Sequence, residues 1–308
     1  MACENRKGIN VPVKSQAKIP LLCAALALFF LLNSCRTSSA APEAFLENGQ
    51  SLPFGADAQA YITADVKKAM PIIEFLPFIN MKDRQTARIV EKTDFLVAAI
   101  FPSGSDKRFH AAATGDYPSA RAWIGLSLSK DWKKRRSKDG SFWYSRSSGV
   151  SLSLESKRAF IVSSRDKVPI NPVVSSSGAR FPEGFTEFSQ RAPVSCWLAD
   201  PASLFDVLLT ELPFRFPARE LFLNLYVRED GKYEGEIRIQ FENAQQARGA
   251  ASIMALASAF IDTSSASLAS IILSNPPALD GKNLDLKTNL MSKSEIYLLF
   301  QMFLLYLP

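Results

Sequence analysis

Cysteine and histidine are the side chains of this sequence with the most chemistry to offer, and both are scarce. The chain of 308 residues holds four cysteines and a single histidine, His110. A serine or cysteine nucleophile usually needs a histidine as its general base, so any such scheme would depend on His110. That residue precedes three alanines, residues 111–113, in a predicted strand, which favours a structural role. No Gly-x-Ser-x-Gly, Walker A or His-Glu-x-x-His motif occurs, so we expect no catalysis.

The cysteines do not fit a disulfide framework or a metal site. Cys3, Cys23 and Cys35 fall within the first 35 residues, and only Cys196 lies further along the chain. A lone thiol can form neither an internal disulfide nor a multi-cysteine metal site. Because its neighbours in residues 194–198 are mostly apolar, Cys196 is expected to be a buried structural residue. We therefore expect neither a metal nor a cofactor.

Cys35 differs from the other cysteines in what precedes it. Residues 1–18 carry four basic side chains and one acidic side chain, and residues 19–32 form an uncharged apolar run of 14 residues. At about 1.5 Å per residue, this run is too short for a comfortable transmembrane helix, but it suits the apolar core of a signal peptide. The small side chain of Ser34 suits a peptidase, and the thiol of Cys35 can carry an acyl chain through a thioether.

Leu32-Asn33-Ser34-Cys35 resembles a bacterial lipobox. Asn and Ser before the cysteine depart from the enteric pattern and resemble the looser lipoboxes of spirochaetes. The resemblance implies a lipoprotein precursor that is cleaved after Ser34, with Cys35 acylated by a fatty acid such as palmitate and held in the lipid bilayer. Arg36 is not the Asp that retains enteric lipoproteins in the inner membrane, which favours the outer membrane. An uncleaved anchor helix and an ordinary secretory signal remain open.

Removal of the leader changes what the basic composition means. The whole chain has a formal net charge of +6 and a pI near 9.1. Residues 1–34 contribute four basic and one acidic side chain, so the remaining chain carries only +3. Nucleic acid is therefore not an expected partner.

Composition divides the chain into five segments. The predicted organisation is a signal peptide over residues 1–34, a flexible tether over 35–53, a first α+β unit over 54–165, a linker over 166–192, and a second α+β unit over 193–308. The tether and the linker are assigned from their content of Ser, Ala, Gly and Pro.

The two α+β units have similar patterns, which indicates an internal repeat. Tyr61–Asp65 matches Cys196–Asp200, and each is followed by an apolar helical stretch. Phe95–Phe101 matches Leu221–Val227, and each leads through a polar turn to another strand and a helix rich in small residues. The order strand, helix, strand, strand, helix predicts an α+β fold, ferredoxin-like or related, with helices packed on an antiparallel sheet. Coincidence between two generic units is the alternative.

Helix boundaries follow from local hydrogen-bonding groups. Asp65 and Asp200 each end a strand and are expected to cap the next helix. Ser292 and Glu295 form a capping box that opens a helix running to about Leu307. Gln301 is the one clearly polar residue from position 296 to that end, so the helix is either part of the core or an interface.

A basic run beside aromatic residues is the second candidate contact with the membrane. Residues 130–140 include Lys133, Lys134, Arg135 and Arg136, and three aromatic residues follow at 142–144. These basic side chains could contact anionic headgroups, each worth roughly 1 kcal/mol near a charged leaflet. The alternative is the solvated tip of a hairpin that turns at Asp139-Gly140, with its aromatic side chains packed inward.

These patterns together predict a membrane-anchored lipoprotein that faces the periplasm or the cell surface. Its expected role is that of a non-catalytic binding or envelope-assembly module, with the bilayer and other envelope proteins as partners. A carrier of a lipid or apolar ligand between the two units is the alternative, and a deep apolar pocket would favour it. A hydrolase is the third possibility and would require Ser, Lys or His110 to converge in a cleft. The oligomeric state does not follow from the sequence.

Overall fold

The alternating patterns of the sequence fold as strands in this computed structural model. The structure describes residues 58–76, 79–101, 108–117, 119–137, 140–154, 159–164, 181–202, 204–205, 216–258, 272 and 275–306. The strands are β1 (Ala60–Asp65), β2 (Thr93–Phe101), β3 (Arg108–Gly115), β4 (Trp132–Ser137), β5 (Gly140–Ser145), β6 (Val150–Leu154), β7 (Ala159–Ser163), β8 (Val194–Ala199), β9 (Glu220–Val227), β10 (Tyr233–Gln240), β11 (Ala278–Asp280) and β12 (Asn283–Lys287). Along β2 and β10, buried and half-buried side chains alternate, as expected for strands with one face on a core.

Helices lie between the strands at the places where apolar residues recur at helical spacing. They are α1 (Val66–Ile73), α2 (Arg84–Lys92), α3 (Ser119–Leu128), α4 (Phe185–Ser189), α5 (Ala244–Ser258) and α6 (Lys293–Tyr306). The capping box predicted for α6 is confirmed: the backbone N–H of Ser292 donates to Glu295 at 2.7 Å, and the N–H of Glu295 faces the Ser292 hydroxyl at 3.4 Å. Ile296 and Leu299 are buried, so the first half of α6 belongs to the core.

All described strands belong to one antiparallel sheet. Their order is β11-β12-β10-β9-β8-β1-β2-β3-β7-β6-β5-β4. The strands β6 and β7 are consecutive in the chain and pair antiparallel. At the middle of the sheet β1 pairs antiparallel with β8, with Ile62 opposite Cys196. The two halves of the chain are therefore joined by backbone hydrogen bonds and not only by side-chain contacts.

The fold class is α+β with a large antiparallel sheet and few helices, as the sequence predicts. The ferredoxin-like arrangement is not confirmed. In that fold the first two strands of a unit are parallel to each other and are separated by another strand inserted between them. Here β1 and β2 are direct neighbours and run antiparallel. Each half begins as a meander, β1-β2-β3 in the first half and β8-β9-β10 in the second. The last strand of each half then lies beside the third strand of its meander: β7 lies beside β3, and β12 lies beside β10.

Both faces of the sheet carry apolar cores. The larger core lies between one face and the helices α1, α5 and α6, and it includes Ile72, Phe241 and Leu299. The central part of the opposite face is covered by an aromatic cluster, which Tyr61 and Trp197 join from neighbouring strands. A third core fills the space between α3 and the end of the sheet formed by β4 to β7. Burial on this scale stabilises the sheet through the apolar area removed from water.

Part of the segment predicted as a linker is a packed element. Residues 165–180 lie outside the described part of the chain, but α4 follows shortly afterwards. Phe185 and Phe188 of α4 are buried against the central aromatic cluster, and Phe185 lies 6.3 Å from Phe222 between ring centroids. Since Pro and Ser set the boundaries of the predicted linker, the apolar spacing of α4 within it was missed.

The two aspartates predicted to be equivalent caps have different backbones. Asp65 is extended, with φ of −75°, and its side chain accepts a hydrogen bond from the N–H of Lys68 at 3.2 Å, which confirms the predicted cap. Asp200 has a φ of 46°, in the left-handed region, and precedes a helical segment in which the N–H groups of Leu204 and Phe205 donate to the carbonyl of Pro201. N-cap residues usually have an extended backbone, so the predicted equivalence is wrong at the backbone level.

Candidate functional site

The four consecutive basic residues lie on the last strand of the sheet. Lys133, Lys134, Arg135 and Arg136 belong to β4, which pairs with β5 and ends the strand order. The structure agrees with the hairpin alternative: β4 and β5 are consecutive antiparallel strands, and Phe142 and Trp143 are buried. The four basic residues run along β4, and residues 138–139 lie outside the described part. We call these four residues the basic edge.

The basic edge presents charge on both faces of the sheet because side chains alternate along a strand. Lys134 lies opposite Trp143, which is buried in the core beneath α3. Arg135 lies opposite Phe142, which belongs to the aromatic cluster on the other face. By the same alternation, Arg136 shares the face of Lys134, and Lys133 shares the face of Arg135.

Two of these cations stack on aromatic rings, one on each face. The Lys134 ammonium lies 5.1 Å from the centre of the Trp123 ring on α3, and the Arg135 guanidinium lies 4.2 Å from the centre of the Tyr144 ring on β5. Cation–π contacts at exposed sites are worth about 0.5–1 kcal/mol. They hold the two charges over opposite faces of the sheet, while the side chains of Lys133 and Arg136 remain exposed.

Among the described residues, no carboxylate lies within ion-pair distance of any of the four side chains of the basic edge. Elsewhere the chain does pair its charges, as in the two-pronged contact of Arg238 with Asp285 at 2.7 and 2.9 Å. The basic edge is therefore a local excess of positive charge in a body whose net charge is small.

Large apolar side chains are exposed beside the basic edge. Trp123 and Ile124 on α3 are each 48% exposed, and Leu128 at the end of that helix is 80% exposed. The Trp123 ring packs edge-to-face on Trp143, with 6.3 Å between centroids, so it is held in place while remaining exposed. We call these three residues the apolar patch; clustered exposure of this kind usually marks an interaction surface.

A hydrogen-bonded cluster fixes the hairpin that carries the basic edge. The Ser145 hydroxyl donates to one oxygen of Asp131 at 2.5 Å, and the N–H of Ser147 donates to the other at 3.2 Å. Burial acts to raise the pKa of Asp131, but the hydrogen bonds from Ser145 and Ser147 outweigh it and lower that pKa below its ordinary value. The cluster ties the start of β4 to the turn after β5. The sequence analysis missed it, although the serine-rich turn was a usable signal.

The residues with nucleophilic chemistry are not brought together. Cys196 on β8 and His110 on β3 are both buried, are separated by β1 and β2, and belong to opposite faces of the sheet. His110 packs edge-to-face on Phe101. Burial raises the pKa of the Cys196 thiol to about 12, so the thiolate is scarce at neutral pH. These two side chains cannot act as a nucleophile and its base.

The opposite end of the sheet carries polar side chains that the sequence analysis did not single out. The Tyr226 hydroxyl donates to Glu236 at 2.8 Å, and burial together with this contact raises the pKa of Tyr226 to about 12. Glu236 also lines an open groove of about 630 Å³, whose other side chains include Arg228 and Lys287. This groove is open to solvent and has charged side chains in its lining, so it does not resemble the deep, enclosed apolar pocket that a carrier would need.

The predicted lipid attachment at Cys35 and cleavage after Ser34 lie outside the described residues, so both stay predictions. Within the described part of the chain, no helix is both long and apolar enough to cross a membrane. No group of three or more potential metal ligands occurs there either.

Comparison with known proteins identifies the family. The family model described as outer membrane-associated lipoprotein TP0453 matches residues 52–275, which is most of the chain. The chain belongs to this family. It is therefore a bacterial lipoprotein of the cell envelope, in agreement with the lipobox resemblance. No curated protein matches the chain.

Solved structures of TP0453 share the fold. Crystal form III matches with a TM-score of 0.57 and 16% identity, covering 86% of this chain and 99% of that chain. Crystal form IV matches with a TM-score of 0.57 and 15% identity, covering 82% of this chain and 98% of that chain. Crystal form I matches with a TM-score of 0.56 and 17% identity, covering 86% of this chain and 98% of that chain. At these identities the likeness concerns the fold alone. It extends over nearly the whole of each solved chain.

Proposed function

We propose that this protein is a lipid-anchored, non-catalytic module that binds other components of the cell envelope through the basic edge and the apolar patch. The observation that carries the proposal is the coincidence of both features at one end of the sheet. Unpaired positive charge and exposed Trp123, Ile124 and Leu128 are adjacent there. Both features cost stability or solubility in isolation, and both become favourable when a complementary surface covers them.

The non-catalytic part of the proposal is supported by the separation of Cys196 from His110. The choice of a binding module over a carrier of apolar ligands is supported by the described cores, which are filled by their own side chains. The groove at the other end of the sheet is open to solvent and is not an enclosed cavity. An anchored binding module needs only a fixed surface and a tether, and the sheet supplies the surface.

The repeat remains part of this proposal as an account of how the body arose. It is supported by the shared order of β1-β2-β3 and β8-β9-β10 and by the central antiparallel pair of β1 and β8. A duplicated unit that pairs through its first strand would give this arrangement. Only the first half carries the basic edge, on β4, so the two halves would have diverged after their first three strands.

Photo-cross-linking in the native envelope tests the proposed function. A photoreactive amino acid is placed at Leu128 in the full lipoprotein, and a matched control carries it at Leu279, which is 48% exposed at the opposite end of the sheet. We expect a discrete cross-linked product of an envelope component from position 128 and not from position 279. Absence of any product from position 128, or purification of the protein with a stoichiometric apolar ligand, would overturn the proposal, the latter in favour of a carrier.

A further inference from the structure

Among the described residues, the outer edge of β4 has no strand partner and could accept another strand. β4 pairs with β5 on one side, and no described strand pairs with the alternate backbone N–H and C=O groups along its other side. With six residues, this edge is about 20 Å long. The strand contains no proline, and its register with β5 has no irregularity. At the opposite end of the sheet, β11 has only three residues. Thus β4 is the longer and more regular of the two edges.

Charge is the device that restricts which strand can pair with this edge. Sheets protect their edges with short strands, bulges, prolines or charged side chains, and β4 uses only the last of these. Antiparallel pairing with the β4 of a second copy would bring basic side chains opposite basic side chains, which is destabilising. The same charges favour a strand that carries Asp or Glu. The edge therefore discriminates by charge.

The distribution of charge over both faces fits a strand better than a flat bilayer. Lys134 and Arg135 are held over opposite faces by Trp123 and Tyr144. The side chains of an added strand also alternate between the two faces, so neighbouring acidic residues would each meet a base. A planar membrane cannot lie against both faces of the sheet at once.

We infer that β4 binds an extended acidic segment of another envelope protein as a thirteenth strand. The inference rests on the proposed function, because it names the partner of the surface proposed there. Backbone hydrogen bonds along the free edge would provide affinity, and the basic edge would select for carboxylates. An apolar side chain of the partner on the α3 face would cover Trp123, which accounts for the exposure of that ring.

The inference is tested on the full lipoprotein in detergent with synthetic peptides as probes. The first peptide has ten residues, with paired Glu residues between Val and Thr. The second replaces each Glu by Gln, and the third keeps the charge of the first but has two prolines in its middle. We expect the first peptide to bind at least tenfold more tightly than either control, and binding to slow hydrogen exchange of the β4 amides. Equal binding of the first and third peptides would overturn the inference, because it would show attraction without strand pairing.

Charge reversal locates the binding site. The variant Lys133→Glu/Arg136→Glu changes one exposed residue on each face and leaves the two stacked cations in place. Its matched control, Lys282→Glu/Lys287→Glu, makes the same change in net charge at two exposed positions at the opposite end of the sheet. We expect the first variant to lose binding of the acidic peptide and the control to keep it. If the first variant unfolds at the same temperature as the parent protein and binds the acidic peptide equally well, the basic edge is not the binding site. If that variant does not fold, Lys133→Gln/Arg136→Gln replaces it, and the same result is expected.

Vesicle binding distinguishes strand addition from contact with lipid headgroups, and the cross-linking result distinguishes it from the proposed function. Binding of phosphatidylglycerol vesicles through Lys133 and Arg136, without binding of the acidic peptide, would overturn the inference in favour of headgroup contact. If no peptide binds but position 128 still gives a specific cross-link, strand addition is refuted and the proposed function is not. Failure of both experiments would refute the two together.

Discussion

The Tyr233 hydroxyl donates a hydrogen bond to the backbone carbonyl of Pro71 at 2.9 Å and so connects β10 in the second half of the sheet to α1 in the first. The Tyr233 ring is almost wholly buried and packs edge-to-face on Phe75, just after α1. This contact joins the halves away from the central pair of β1 and β8. The two halves therefore share one core, and their stabilities should be coupled.

Replacing Tyr233 by Phe should lower the free energy of unfolding by about 1 kcal/mol, because the Pro71 carbonyl loses its donor. Urea denaturation followed by circular dichroism measures the change. Tyr144→Phe is the matched control, since that half-buried hydroxyl makes no hydrogen bond to a described residue, and it should change stability far less. Equal effects of the two substitutions would show that the Tyr233–Pro71 bond contributes nothing measurable.

Replacing Asp65 by Ala should cost about 1 kcal/mol, because the N–H of Lys68 loses its cap at the start of α1. Asp65→Ser retains an acceptor and should recover most of the loss. Both variants are compared with the parent protein by thermal unfolding. If Ala and Ser behave alike, the cap is not what Asp65 contributes.

Asp131 should make the stability of the protein depend on pH in the acid range. Its pKa is lower in the folded protein than its ordinary value near 4, so its contribution is present above that value and is lost as pH falls through the folded pKa. The variant Asp131→Asn should be less stable than the parent at pH 6, and the difference should shrink by pH 3. Urea midpoints at both pH values measure it. A difference that grows as the pH falls would mean that folding raises the pKa of Asp131 instead of lowering it.

Replacing Cys35 by Ser should abolish fatty-acid labelling and leave the protein unprocessed or released from the membrane. The reason is that the thioether to the acyl chain requires a thiol at the cleavage site. Metabolic labelling with a palmitate analogue, followed by membrane fractionation, tests this, with Cys196→Ser as the control that should still label. Continued labelling and membrane retention of the Cys35→Ser variant would refute the assignment of the anchor.

Local structure could be predicted from the sequence wherever the signal itself is local. The strand over Phe95–Phe101, the Asp65 cap of the next helix, and the Ser292–Glu295 capping box each appear as predicted. The helix α2 was missed because it is mostly polar, although Asp83 offered a cap: it accepts hydrogen bonds from both the N–H and the hydroxyl of Thr86. That pattern could have been recognised.

Strand order could not be predicted, because it depends on pairings between residues far apart in the sequence. Nothing near Ile62 specifies that it will lie opposite Cys196. The place of the basic edge in the sheet could not be predicted for the same reason. The hairpin that turns at Asp139-Gly140 was one of two alternatives, and the pairing of β4 with β5 and the burial of Trp132 and Trp143 agree with it. The value of the basic edge as a candidate surface became apparent only from its position at the end of the sheet.

The position of β1 in the sheet has a mechanical consequence. β1 is the sixth of the twelve described strands in the sheet order, and it is the first of them in the chain after the residues that lead from the predicted anchor. A pull from the membrane therefore enters the body at its middle, where hydrogen-bonded ladders to β2 and β8 share the load. A strand at the margin could be peeled away one bond at a time, whereas β1 must break both ladders to leave. With strands about 4.8 Å apart, β4 lies about 29 Å from β1 along the sheet, so tension from the anchor would enter the body far from the basic edge.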